Sequence, residues 1–216
     1  MREGPISFTV PLVREVMAGR KTVTRRLIKP QPTIDLMGNL CWKAGCYGQT
    51  PEGRPQVRSL ALLSPYGKAG DRLWVRERAR VALHGRPGHV RLFYEVDGAT
   101  AMVLWPDRLK PAHVGRCVPN GVHREGARIF LDVVSVHAER LHDITEEDAW
   151  AEGVERHPEA CGWLNYEPSP SFEEVSYHVT ARESFTSLWR SINGAESWDA
   201  NPWVWRVEFR RVEGSR

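Results

Sequence analysis

Alternation and helical spacing divide the chain into segments. Ile6, Phe8 and Val10 alternate with polar or small residues and predict a first strand. Pro11 suits the first turn of a helix in which Leu12, Val13, Val16 and Met17 share one face, and Gly19 is its natural stop. Arg72-Leu73-Trp74-Val75-Arg76-Glu77 follows the turn signal Gly70-Asp71 and alternates as a strand. Val90, Leu92, Tyr94 and Val96 alternate with Arg91, Phe93 and Glu95 in another, ended by Asp97-Gly98. Ile129 to Val136, nearly continuous in β-branched and aromatic residues, predicts a third. In the last strand Trp203, Trp205, Val207 and Phe209 lie on one face, with Val204, Arg206 and Glu208 opposite.

Two further helices fit between these strands. Thr145-Glu146-Glu147-Asp148 offers an N-cap followed by acids that suit the positive end of the helix dipole, and Gly153 ends the helix. Phe185, Leu188, Trp189 and Ile192 recur at amphipathic spacing, closed by Asn193-Gly194. The stretches at 31–69, 106–127 and 156–180 lack periodicity and read as insertions. Strands spread from end to end, without regular strand–helix alternation, predict one α+β domain over 1–216, built on a small mixed β-barrel.

Composition narrows the class. Apolar residues at 41% and charged residues at 26% exclude a wholly disordered chain. No apolar run approaches the roughly 20 residues of a membrane span, and Met1-Arg2-Glu3-Gly4-Pro5 lacks a signal-peptide core, so a cytoplasmic protein with no membrane partner is expected. Cys41, Cys46, Cys117 and Cys161 are spaced too irregularly for a disulfide framework and are expected to stay thiols. Cys41 and Cys46 bracket a short loop, a weak zinc signal, and no metal or cofactor is expected. Trp74, Trp189, Trp203 and Trp205 fall at core positions, whereas Trp42, Trp105, Trp163 and Trp198 lie in loops, where one or more could stack on a base.

Charge is concentrated rather than spread. From Arg14 to Pro30 there are six Lys or Arg against the single acid Glu15, although the chain's net charge is only +3. Within Gly19–Arg26, four cations accompany Thr22 and Thr24. Such a cluster focuses a field on phosphates, although charge runs are usually solvated surface.

In order along the chain, Ala18-Gly19-Arg20-Lys21-Thr22 with Thr24-Arg25-Arg26, Gly70 to Glu77, Ile144 to Ala149 with Glu152-Gly153, Phe185, Leu188-Trp189, Ile192-Asn193 and Asn201-Pro202-Trp203-Val204-Trp205 resemble the ASCH domains. These belong to the PUA-like group of small β-barrels, and the similarity is strongest to their longer phage and prophage versions. The resemblance implies a pocket-bearing barrel whose relatives bind RNA or recognise modified bases. It is also similar to small bacterial acetylcytidine amidohydrolases. Their motif matches Lys21, Thr24 and Arg26, and their pocket Glu matches Glu152, seven positions after Thr145. This chain departs from them in its greater length and in Arg25, where they carry an apolar residue.

The matched residues define a testable chemistry. Amide hydrolysis needs a nucleophile, a base, a proton donor and an oxyanion holder, and Thr24, Lys21, Glu152 and Arg26 can fill those roles in that order. A water can replace Thr24. Lys21 acts as a base only as a free amine, which requires its pKa to fall by about three units from roughly 10.4, about 4 kcal/mol. Arg20, Thr22, Arg25 and Arg26 are the expected substrate or nucleic-acid contacts. The expectation is thus a protein that recognises RNA or a modified nucleoside and hydrolyses an N-acyl group from cytidine. The alternatives are a ribonuclease, a non-catalytic RNA-binding module and a phage structural component.

Overall fold

Most of the apolar alternation is spent on one mixed sheet. The computed structural model describes residues 1–36, 38–43, 45–47, 60–83, 85–105, 114–118, 121–168 and 177–212. Its elements begin with β1 (Glu3–Ile6), α1 (Val10–Met17) and β2 (Val23–Leu27), followed by β3 (Thr33–Ile34), β4 (Leu40–Trp42) and β5 (Gly45–Tyr47). Next come β6 (Arg72–Val75), β7 (Ala79–Leu83), β8 (His89–Tyr94), β9 (Thr100–Leu104) and the long β10 (Phe130–Arg140). The chain ends with α2 (Glu146–Ala151), β11 (Trp163–Leu164), β12 (Tyr177–His178), α3 (Ala181–Asn193) and β13 (Trp203–Arg211). The fold is α+β, and no helix among the described residues is long and apolar enough to cross a membrane.

The main sheet runs β1-β6-β10-β13-β2. Its β1–β6 pair is parallel and its other pairs are antiparallel. Trp205, Val207 and Phe209 are buried along β13, as their spacing predicts, and Val204 on the other face is buried too. The edge strands β1 and β2 do not pair with each other. A second sheet, β7-β8-β9, is an antiparallel meander that buries Ala79, Val81, Val90, Leu92 and Tyr94. Both helix predictions hold: Thr145 caps α2, and a capping box between Thr180 and Glu183 starts α3.

Several expectations need correction. The first strand stops at Ile6, and Val10 opens α1, because Pro11 presets the dihedral of a first helical turn. The insertion at 31–69 is not free of structure: its described part forms the small sheet β3-β4-β5, while 48–59 lie outside the described residues. The same holds for the other two insertions, whose segments 106–113 and 169–176 lie outside the described residues. None of the four loop tryptophans is free to stack on a base. Trp42, Trp105, Trp163 and Trp198 are all buried, Trp42 packing edge-on against Trp205 at 5.9 Å. Cys41 and Cys46 are joined as a disulfide, not free thiols, because the β4–β5 hairpin sets them directly opposite with Cα atoms 4.0 Å apart.

Candidate functional site

Lys21 is placed by a tight turn. Gly19 takes φ +75° after α1, and the amides of Arg20 and Lys21 both donate to the Glu15 carbonyl, at 3.0 and 3.1 Å. The Thr22 amide then donates to the Ala151 carbonyl at 2.9 Å, which fastens the start of β2 to the end of α2. Glu152 caps that helix end, and Gly153 follows at φ +83°. A Cβ on Gly153 would stand 2.9 Å from the Cβ atoms of both Glu15 and Lys21, so only glycine permits this approach.

The turn and the cap bring together two residues 131 positions apart. Lys21 Nζ donates to Glu152 Oε2 at 2.7 Å, to the Glu152 carbonyl at 2.6 Å and to the Val23 carbonyl at 2.9 Å. An ammonium has three donors, and here all three are used. Both side chains are buried. Burial pulls the Lys21 pKa below its ordinary value; Glu152 resists that shift, while Arg26 and Arg25 add to it.

Arg25 is locked in place rather than free. Its fully buried guanidinium donates to Glu139 at 2.7 Å, Asp148 at 2.5 Å and Glu152 at 3.4 Å. Asp148 also receives Arg206 at 2.8 Å. Burial alone would raise the Asp148 carboxyl, but the hydrogen bonds from Arg206 and Arg25 outweigh it and hold the pKa below the ordinary value. Geometry therefore separates Asp148 of α2 from the C-cap Glu152: Asp148 serves the arginines, and Glu152 faces Lys21 with only the longer contact from Arg25.

Arg26 is the exception in this balanced network. It donates to the Ser7 carbonyl and lies 5.2 Å from the Phe8 ring centre, yet it forms no ion pair among the described residues. Its Nε is buried without a hydrogen-bond partner, and burial pulls its pKa down. The indole Nε1 of Trp189 is buried and unpartnered as well. An orphaned buried donor costs about 1–3 kcal/mol, so two of them in one place point to an acceptor that arrives from outside.

Lys21, Thr24, Arg25, Arg26 and Glu152 line a single pit of about 70 Å³, walled by Leu12 of α1 and by Leu188, Trp189 and Ile192 of α3. That is room for roughly two waters. A wider groove of about 460 Å³ shares Leu12, Arg26 and Ile192 with the pit and adds Phe8 and Arg78. Arg20 and Thr22 stand outside the pit: Arg20 is exposed and paired with Glu15 at 2.6 Å, and Thr22 is exposed on another groove beside Arg211. Trp189 is the pit residue that spacing identified only as core. Nothing in the sequence marks its indole N–H as orphaned. Among the described residues, Asp35, Cys41 and Cys46 form the one group with metal-ligand spacing, and the disulfide leaves no thiolate there for an ion. No family model, curated protein or solved structure matches this chain.

Proposed function

We propose that the pit hydrolyses the N-acyl group of an acylated cytidine, and that the main sheet is the body of a small PUA-like barrel of the ASCH type. The observation that carries the reaction is one buried constellation: the Lys21–Glu152 pair beside Thr24, with the orphaned donors of Arg26 and Trp189 lining the same pit. The barrel is supported by the Arg26 side chain of edge strand β2, which reaches the Ser7 carbonyl just beyond edge strand β1. A cavity of about 70 Å³ suits a small acyl group and not a pyrimidine ring, which fits the wider groove next to it.

The chemistry follows from these positions. A proton passes from Lys21 to Glu152 over 2.7 Å, leaving a neutral amine and a neutral acid. The amine takes the Thr24 hydroxyl proton as Oγ1 bonds to the acyl carbon. The carbonyl oxygen becomes an oxyanion held by Arg26 and Trp189. The C–N bond then breaks as Glu152 protonates the exocyclic nitrogen. Water enters, loses a proton to Lys21 in the same way, and displaces Thr24, which regains its proton from Glu152. The products are the free acid and the unmodified base.

A non-catalytic role, in which the same cations hold RNA, has one observation in its favour. All three Lys21 donors are already satisfied, as in a purely structural ion pair. Release of free acid from a panel of acylated cytidines decides between the two. Catalysis predicts turnover that Thr24→Ala, Lys21→Ala and Glu152→Gln each reduce by roughly 10²–10⁴-fold, with circular dichroism confirming that the variants fold. Folded protein with no turnover on any member of the panel rejects hydrolysis.

A further inference from the structure

We infer that the outer face of the β7–β8–β9 meander is a track for single-stranded nucleic acid leading to the pit, so that the pit accepts the modified base within a polynucleotide as well as in a free nucleoside. This rests on the proposed site but is carried by a different surface. Alternation buries one face of the meander and leaves Arg80, Arg91, Phe93, Thr100, Met102 and Leu104 exposed on the other. Register sets Phe93 between Arg80 of β7 and Thr100 of β9, and Arg91 between Ala82 and Met102. An exposed aromatic ring therefore has one guanidinium across from it and another two residues along its own strand.

Neither Arg80 nor Arg91 forms an ion pair among the described residues, so their charge is available to phosphates. The one carboxylate in line with Phe93, Glu95, is taken by Arg78 at 3.3 Å and by the Cys117 thiol at 3.0 Å. Arg78 connects this face to the site. It precedes Arg80 by two residues, about 6.6–6.8 Å along a strand, and it lines the groove of about 460 Å³ that shares Arg26 with the pit. Arg26, Arg80 and Arg91, linked by the Arg78–Glu95 pair, thus lead from the pit to an aromatic platform. Stacking on a ring is tolerant of base identity, and cations along the backbone supply affinity that falls with salt. Phe93, Met102 and Leu104 are neighbours on this face, and the Arg80 and Arg91 that flank them, unpaired among the described residues, favour a polyanion with bases to stack over an apolar protein partner.

The test is an anisotropy titration of the full chain with a labelled ten-nucleotide uridine RNA at several salt concentrations, run beside turnover of free N-acylcytidine. Phe93→Ala, Arg80→Glu and Arg91→Glu are each expected to weaken RNA binding about tenfold or more. Each Arg variant should also lower the salt slope by about one. Turnover of the free nucleoside should stay unchanged in all three, because none of them lines the pit. Wild-type protein that fails to bind the RNA, or variants that bind it equally, overturn the track. Self-association that Met102→Glu abolishes, in protein that binds no RNA, overturns it in favour of a protein interface. Absence of turnover on the free nucleoside alone counts against the hydrolase, while the RNA titration still judges the track.

Discussion

Glu152→Gln preserves the shape of the side chain and one acceptor oxygen, and removes only the charge that faces Lys21. Lys21 Nζ then remains a buried cation whose other contacts are two backbone carbonyls, while Arg25 keeps Glu139 and Asp148. Breaking a buried pair from one side costs about 3–5 kcal/mol, and the retained hydrogen bond places this variant near the lower end, about 3 kcal/mol. In a chain of this size that is about 6–12 °C in Tm. The pH dependence is the sharper signature. Loss of Glu152 removes the group that resists the fall in the Lys21 pKa, so burial lowers that pKa further in the variant. Between the two folded-state pKa values the native variant binds fewer protons than native wild type, while the unfolded chains titrate alike near 10.4. Stability therefore rises more steeply with pH in the variant, and its deficit shrinks from neutral pH toward about pH 10. Urea denaturation at steps across that range measures it. A deficit below about 1 kcal/mol at neutral pH, or one that does not change with pH, refutes the buried ion pair.

Other consequences are simpler to read. Lys21→Met leaves two carbonyls without this donor and Glu152 with only the longer contact from Arg25, so it should lose more stability than Glu152→Gln, roughly 4–5 kcal/mol by denaturant titration. Gly153→Ala forces a Cβ to 2.9 Å from Lys21 and Glu15 at a positive φ, so thermal unfolding should show a loss above about 1 kcal/mol, and turnover should fall as Glu152 shifts. Reduction of the Cys41–Cys46 bridge, which closes a very short loop, should cost about 2 kcal/mol. Dithiothreitol should accordingly lower the Tm by about 4–8 °C in wild type and leave a Cys41→Ser, Cys46→Ser variant unmoved.

The frame of the fold was legible because its elements bury one face at a fixed period. The four strands carrying Trp74, Leu92, Leu131 and Trp205 and the three helices follow from alternation, helical spacing and caps. The short β3, β4 and β5 were not, since two or three residues carry no measurable period, and neither were β2, which reads as a basic cluster, or β7 and β9, whose alternation is too brief to stand out. The loop tryptophans misled for a related reason: local polarity says nothing of the distant Trp205 that covers Trp42. At the site, charge density drew attention to Lys21 and its neighbours, and the resemblance supplied Glu152. Partner choice among the cations was invisible. Whether a guanidinium meets a carboxylate depends on contacts 114 to 127 residues away, as with Arg25 and its partners Glu139, Asp148 and Glu152.

That division of partners makes Arg26 the decisive residue of the pit. Lys21, Arg25 and Arg206 each have a carboxylate, whereas Arg26 has a backbone carbonyl, an aromatic face and a buried Nε with nothing to donate to. Arg26 is half-buried, with its Nε enclosed and no carboxylate in contact among the described residues, and burial pulls its pKa down. Replacing it with an apolar side chain of similar length should therefore cost little. Arg26→Met should keep its stability within about 1 kcal/mol of wild type or exceed it, because the gain from removing the charge offsets the lost bond to Ser7. If the guanidinium holds the oxyanion, the same variant should lose roughly 10²–10³-fold in kcat, with KM moving far less. Denaturant titration and single-turnover kinetics on one preparation read both quantities. A loss of stability above about 2 kcal/mol would make Arg26 a structural residue. Unchanged kcat in a stable variant would take it out of the chemistry and leave the orphaned donors without a purpose in catalysis.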